Sequence, residues 1–513
     1  VITVIEFLVL VCVLGFSLSV ATGSKPVSKC LPLLMATVAV IASTGLVLAG
    51  RSVAVPILVM SLVCLIAGIC LRGREERRRP VLAAGVFALS ALALLPALML
   101  ASKPTFPALE GPHKVGVRAA EIKDIHRGND WEAVGNNTRR ILIRLWYPAV
   151  SIPETASNHR HPPAERQYSS VLSGGGFDPF KLIGEALLDT NTHAWWNVAP
   201  LPGSFPLLVF SHGYGGHVAT NSVLMEQLAS RGYVVVSITH PGESSSLVYL
   251  DGQPMPQAPQ RRELLAEHAA TNLFDAFYLD TAERMAWVVD TFEPIRMVSQ
   301  RFPVWADDFQ SVVSALQGGE FNGDIGDILE YTDFESIGFL GMSAGGGSAT
   351  AACHSDSRCA AVAALDGGLG LPFLRDAHIR TPALIFEGGY PKRLGAQDLY
   401  YEPHSEFGRN PEVTRLVFPD NGHADFTDLA LALSPLGKSL FPKLLPVLGP
   451  VDGVQSIRAQ SQLTARFFDI YLKGQSAGQF PQRELLANPV VRQVDPEPFR
   501  AWIKAVTARR ARY

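Results

Sequence analysis

The sequence predicts an α/β fold for residues 103–513, a mostly parallel central sheet flanked by helices, preceded by about four transmembrane helices within residues 1–102. One observation behind this is a sharp change of composition. Residues 1–102 are almost wholly apolar apart from short charged breaks, whereas the rest of the 513 residues has the mixture of a globular domain. A second is that, in this later part, strand-like segments alternate with helical ones. A third is that several of the strand segments are continuous Val, Ile, Leu and Phe runs, as expected of strands buried on both faces. The formal net charge of −3, with no basic stripe carrying interleaved aromatics, excludes nucleic acid as a partner.

The apolar region divides into Val1 to Ala21, Leu31 to Gly50, Val53 to Leu71 and Val81 to Ser102. Each run is about 20 residues, enough to cross a bilayer as a helix. A cleaved leader needs a charged start and a short apolar centre, and the first run has neither. Because the chain opens on Val1 rather than Met, whether a short leader precedes it stays open. Lys and Arg are retained on the cytoplasmic side, so Arg72-Gly73-Arg74-Glu75-Glu76-Arg77-Arg78-Arg79 is expected inside, together with Lys25 and Lys29. That sends the fourth helix outward. The reading is a multi-pass membrane protein whose catalytic domain, from about Lys103 onward, is extracytoplasmic, in periplasm or extracellular space.

Pro104, Pro107 and Pro112 read as a linker into that domain. Strands are expected at Arg140 to Tyr147, Leu207 to Phe210, Tyr233 to Ile238, Ile337 to Leu340, Ala360 to Leu365, Ala383 to Phe386 and Arg415 to Phe418. Helices are expected at Asn221 to Arg231, Leu273 to Phe292, Ala344 to Cys353 and Gln455 to Lys473. Two long excursions, 151–202 with Trp195-Trp196 and 242–334, interrupt this order and read as lids or pocket walls, or as decoration packed on the core.

The chemistry centres on Gly341-Met342-Ser343-Ala344-Gly345, a G-x-S-x-G pattern. It follows the apolar run Ile337-Gly338-Phe339-Leu340 and precedes a run of small residues compatible with a helix. This is the strand, sharp turn and helix of a nucleophile elbow, and it points to an α/β-hydrolase fold with Ser343 as nucleophile. A serine hydroxyl needs an imidazole to take its proton. His423, in the turn Asp420-Asn421-Gly422-His423 after the last core strand, is the candidate base. His212, His217 and His240 precede the serine, His354 lies too close to it in sequence, and His404 is the one serious rival. The oxyanion of the intermediate needs backbone N–H donors, expected from Ala344 and from Tyr214 in Ser211-His212-Gly213-Tyr214-Gly215-Gly216. For the acid, strand counting points to Glu387, in Phe386-Glu387-Gly388-Gly389. Cys353 and Cys359, the only cysteines outside the apolar region, are candidates for a disulfide bracing the elbow helix; two small buried thiols are the alternative. No H-E-x-x-H or paired C-x-x-C occurs, so neither metal nor other cofactor is implied.

The soluble part resembles the platelet-activating factor acetylhydrolase family and the related dienelactone-hydrolase-like bacterial esterases. The likeness lies in Arg144-Leu145-Trp146-Tyr147-Pro148, Pro206 to Gly216, Gly232 to His240, Gly341 to Gly346, Ala364-Leu365-Asp366, His423 to Phe426 and Phe467-Phe468-Asp469-Ile470-Tyr471-Leu472-Lys473-Gly474. The resemblance implies a carboxylic ester hydrolase favouring short or modified acyl groups, extracytoplasmic or lipid-associated, with Asp366 as the acid of the triad. Met342 stands where the family usually has His, and the apolar N-terminal region is absent from the secreted members. The expected function is therefore ester hydrolysis through an acyl-enzyme on Ser343, with a lipid or soluble ester as substrate. Competing readings are an acyltransferase with the same acyl-enzyme and a non-catalytic membrane receptor that keeps the fold.

Overall fold

Alternation along the strands builds two buried faces. In β4 (Phe205–Ser211), Leu207 and Val209 enter one apolar cluster while Leu208 and Phe210 enter another. In β5 (Val234–Ile238), Val234, Val236 and Ile238 oppose Val235 in the same way. With both faces covered, such strands have little use for polar residues, which is why they read as continuous apolar runs.

The computed structural model describes residues 104–128, 138–159, 161, 187, 190–245, 248–255, 258, 301–367, 381–390, 412–433, 438 and 447–494. The chain divides into two compact units, Val1–Pro104 with Ser173–Leu188, and Thr105–Leu172 with Asp189–Tyr513. The second unit holds everything below. The four apolar runs, the Arg72 to Arg79 segment, the helix expected at Leu273 to Phe292 and the rival His404 lie outside the described residues. Among the described residues no helix is long and apolar enough to cross a membrane.

The remaining strands are β1 (Lys114–Asp124), β2 (Arg139–Ala149), β3 (Ala194–Trp196), β6 (Thr332–Met342), β7 (Cys359–Leu365), β8 (Ala383–Gly388), β9 (Val413–Phe418) and β10 (Arg492–Gln493). They form one sheet in the order β10-β9-β8-β7-β6-β4-β5-β2-β1-β3. β5, β4, β6, β7, β8 and β9 run parallel; β2 is antiparallel to β5 and to β1, and β10 to β9. From β4 the chain goes to β5 on one side and then returns to β6 on the other. The carboxyl ends of β4 and β6 therefore meet at a topological switch point, where α/β sheets open a crevice.

On one face lie α1 (Ser222–Ser230) and α5 (Gly453–Tyr471), which contribute Leu224, Met225, Leu228, Leu463, Phe467 and Phe468. The other face carries α2 (Phe302–Gly318) and α4 (Ala344–Ser355), with Phe302, Trp305, Phe309, Val312, Ala349 and Ala352. Two shorter helices, α3 (Gly326–Leu329) and α6 (Gln482–Ala487), complete the described set. Cys353, near the end of α4, is bonded to Cys359 at the start of β7, with their Cα atoms 5.1 Å apart.

Of the elements absent from the sequence reading, three bear on the sheet and the site. β1, where no strand is expected, carries several charges, but Arg118 donates to both Asp327 oxygens at 2.6 and 3.1 Å, and Glu121 accepts two bonds from Arg140 at 2.6 and 2.8 Å. Pairing lets those charges be buried in a strand. β3, with Trp195 and Trp196, makes the end of the first excursion an edge strand alongside β1. α2 makes the end of the second excursion a core crossover helix, with proline in its first turn and Gly319 at φ 72° closing it.

Candidate active site

β6 ends at Met342 and α4 begins at Ala344, so Ser343 alone turns the chain, at φ 55° and ψ −125°. A non-glycine residue holds such a conformation only where its surroundings enforce it. Here the Ser343 N–H donates to the Leu365 carbonyl at 2.9 Å, and its own carbonyl accepts from Gly346 N–H at 2.9 Å. The motif glycines permit close approach. A Cβ on Gly341 would lie 2.3 Å from the Gly345 carbonyl carbon, and one on Gly345 would lie 2.2 Å from the Ser211 carbonyl oxygen. The first turn of α4 thus sits directly against the end of β4. Ala344, as the first helical residue, has an N–H with no intrahelical acceptor.

His423 opens a short 3-10 turn, His423–Phe426, after β9. Asp425 pins this turn: its buried carboxylate accepts from the Gly422 and Gly449 N–H groups and from the buried Lys438 ammonium. Burial pushes the Asp425 carboxyl up, against the opposing pull of Lys438 and the two N–H groups. Asp428 ties the same loop to α1 by accepting from the Ser222 and Val223 N–H groups at 2.9 and 3.3 Å.

Asp366, the first residue after β7, also has a positive φ of 46°. One of its oxygens accepts the Gly388 N–H at 2.9 Å, and the other lies 2.6 Å from His423 Nδ1. A carboxylate can only accept, so Nδ1 carries the proton and Nε2 is left to accept from the Ser343 hydroxyl, 2.9 Å away. The three candidates come together in one line at the carboxyl edge of the sheet. Glu387 is turned elsewhere: its Oε1 accepts from Arg415 of β9 at 3.0 and 3.2 Å. Tyr214 is half-buried in the loop after β4, and a Cβ on the neighbouring Gly213 would lie 3.0 Å from Ser343 Cβ. That places the loop beside the nucleophile. Among the described residues no group of three or more His, Cys, Asp or Glu side chains could hold a metal ion.

Sequence reasoning missed a second constellation. Ser211 Oγ lies 2.7 Å from His240 Nε2, and His240 Nδ1 lies 2.8 Å from Asp308. All three side chains are fully buried. Nothing in the sequence links these positions, because Asp308 belongs to a helix that the sequence reading did not find. Asp425 and Lys438 were missed for a similar reason: their pairing is made only by the fold.

Residues 98–475 match the family described as platelet-activating factor acetylhydrolase, isoform II. The platelet-activating factor acetylhydrolase of Cavia porcellus is 23% identical over 378 residues, spanning 72% of this chain and 78% of that protein. The Bos taurus protein of the same name is 22% identical over 365 residues, spanning 68% and 77%. A ferulic acid esterase from Streptomyces cinnamoneus superposes with a TM-score of 0.53 at 22% identity, over 77% of this chain and 100% of that one, a likeness of fold. From the linker before β1 to the end of α5 the match is continuous, through every element that carries the Ser343 site, and the chain accordingly belongs to the platelet-activating factor acetylhydrolase isoform II family as an ester hydrolase of the serine-esterase type.

Proposed function

We propose that the chain hydrolyses carboxylic esters through an acyl-enzyme on Ser343, with lipid or short-acyl esters as substrates. The observation that carries this is the unbroken line from Ser343 Oγ through His423 to Asp366, with the serine on a strained strand-to-helix turn. As Ser343 Oγ bonds to the ester carbonyl carbon, its proton passes to His423 Nε2, and Asp366 stabilises the imidazolium so formed. The carbonyl oxygen gains negative charge and is met by the N–H groups of Ala344 and Tyr214. His423 then gives the proton to the departing alcohol oxygen as the C–O bond breaks. Water, deprotonated by His423, repeats the sequence and releases the acid and the free serine.

The substrate class rests on the relatives, which are named platelet-activating factor acetylhydrolases. The proposed organisation is a membrane region over 1–102 and an extracytoplasmic catalytic domain over 103–513. The four apolar runs support the first part. The Cys353–Cys359 disulfide supports the second, since disulfides persist in oxidising compartments. Fluorophosphonate labelling with peptide mapping tests the nucleophile, with Ser343 expected and any other serine overturning it. A panel of p-nitrophenyl esters of rising chain length reads the acyl preference, with the highest kcat/KM expected at short chains. A C-terminal tag after Tyr513 is expected to be protease-accessible in intact cells; protection would overturn the topology.

A further inference from the structure

The buried constellation beneath the site cannot meet a substrate, yet every part of it ends on the loop beside Ser343. Asp308 accepts from Arg139 Nε and Nη2 at 2.6 and 2.7 Å and from Arg127 Nη2 at 2.6 Å, so it is an ionised acceptor. His240 must then place its proton on Nδ1, facing Asp308, and Nε2 accepts from Ser211 Oγ. Ser211 is the last residue of β4 and the root of the loop, and its carbonyl abuts Gly345 of the nucleophile helix. The next residue, His212, pairs through Nε2 with Ser244 Oγ at 2.7 Å, and Ser244 Oγ also accepts the His240 N–H at 2.8 Å. The tip is held by stacking. Trp305 lies parallel to His240 with ring centroids 3.8 Å apart, and Tyr214 lies parallel to Trp305 at 6.1 Å. Trp305 is itself fixed, since Nε1 donates to Glu243 at 2.8 Å and Glu243 accepts from Arg301 at 2.9 Å.

We infer that Ser211, His240, Asp308 and Trp305 are positioning residues for the Tyr214 N–H: they fix root and tip of its loop so that it meets the oxyanion formed at Ser343. This rests on the reading of Ser343 as nucleophile and Tyr214 as donor. The physical reason is that an oxyanion donor helps only if it is already aimed where charge will develop, and a backbone N–H in a glycine-rich loop is not rigid without outside support. Three anchors on consecutive or near-consecutive residues supply that support from two other elements, the β5 exit and α2.

The test uses the whole protein with Ser211→Ala, which removes one buried hydroxyl, and Trp305→Phe, which removes the Glu243 bond and part of the stack. Val313→Ala, in the same helix but remote from the loop, controls for lost packing. For p-nitrophenyl acetate we expect kcat to fall roughly 10- to 100-fold in both loop variants with KM within about twofold, as for a donor displaced by about an ångström. Inhibition by a trifluoromethyl ketone, which forms the oxyanion, should weaken in the same proportion, while Val313→Ala loses thermal stability and keeps kcat. Should Trp305→Phe fail to fold, Ser211→Ala decides alone. Kcat within twofold of wild type in Ser211→Ala, or a loss confined to KM, overturns the inference even when Ser343 still labels. Loss of no activity in Ser343→Ala would instead overturn the catalytic reading on which it rests.

Discussion

Ser211, His240 and Asp308 repeat the hydrogen-bonded line of Ser343, His423 and Asp366, at 2.7 and 2.8 Å against 2.9 and 2.6 Å, yet the two lines differ in access, charge and backbone. Access is the first difference. The His423 side chain keeps 24% of its surface exposed, whereas Ser211, His240 and Asp308 keep none. Charge is the second. Asp308 is already neutralised by Arg139 and Arg127, which leaves it poorly suited to stabilise a newly formed imidazolium, and burial lowers the His240 pKa in spite of the opposing Asp308. Backbone is the third, for Ser343 sits at a positive φ on a sharp strand-to-helix turn while Ser211 ends a regular strand. Hydrogen-bond geometry alone therefore does not identify a catalytic triad; reach, unspent charge and a presented nucleophile do.

The largest expected effect separates the two serines outright. Ser343→Ala should lower p-nitrophenyl acetate turnover by about 10⁴- to 10⁶-fold with the fold intact, while wild-type labelling maps to Ser343 and never to Ser211. Labelling at Ser211 would erase the contrast. Next comes the acid. Asp366→Asn should cost about 10⁴-fold in kcat, because the amide favours the wrong imidazole tautomer. Glu387→Gln, which removes the charge that faces Arg415, should change kcat by no more than about threefold and instead cost about 1–3 kcal/mol of stability. Near-normal activity in Asp366→Asn would give the role to Glu387.

Asp308, which touches no substrate, should show its largest effect on stability, beside the lower turnover its positioning role implies. Asp308→Asn leaves Arg139 buried beside a neutral amide and should destabilise the protein by about 3–5 kcal/mol in denaturant unfolding. The folded fraction should still label at Ser343. Unchanged stability would show that the buried line is not holding charge. The smallest effect concerns pH. His240 faces Asp308, with Arg139 and Glu243 adding charge nearby, and its folded pKa is lowered chiefly by burial. In the unfolded chain it takes up a proton near pH 6.5, so below that the unfolded state binds more protons and stability falls by about 1.4 kcal/mol per pH unit. Burial alone would raise the Asp308 carboxyl, but Arg139 and the bonds it receives hold it well below the usual carboxylate range. A second decline therefore sets in below about pH 4. His240→Asn should flatten the first decline and leave the second; an unaltered slope near pH 6 would assign it to another group.

Local chemistry explains what could be read ahead of the structure. Gly341, Ser343 and Gly345 announce themselves because the elbow needs a turn and two close backbone approaches at fixed spacing, and such needs leave a mark within five residues. His423 follows from the strand before it and the turn that holds it. β4, β5, β7, β8 and the second half of β6 are legible because burial on both faces leaves them few polar residues. β1 was illegible for the converse reason, since its charges are satisfied by Arg140 and Asp327, partners that sequence distance hides.

By itself, then, the sequence determined the parallel α/β core, the serine on its elbow and the histidine after the last parallel strand, because each is dictated by neighbours along the chain. Only the tertiary structure decided which carboxylate faces His423. Asp366 follows β7 and Glu387 lies near the end of β8, at the same edge of the sheet, and a positive φ at one and an ion pair with β9 at the other turn them apart. It likewise decided that His240 and Asp308 lie beneath the loop after β4, since that meeting depends on α2 packing against the sheet, and long-range packing leaves no local signature.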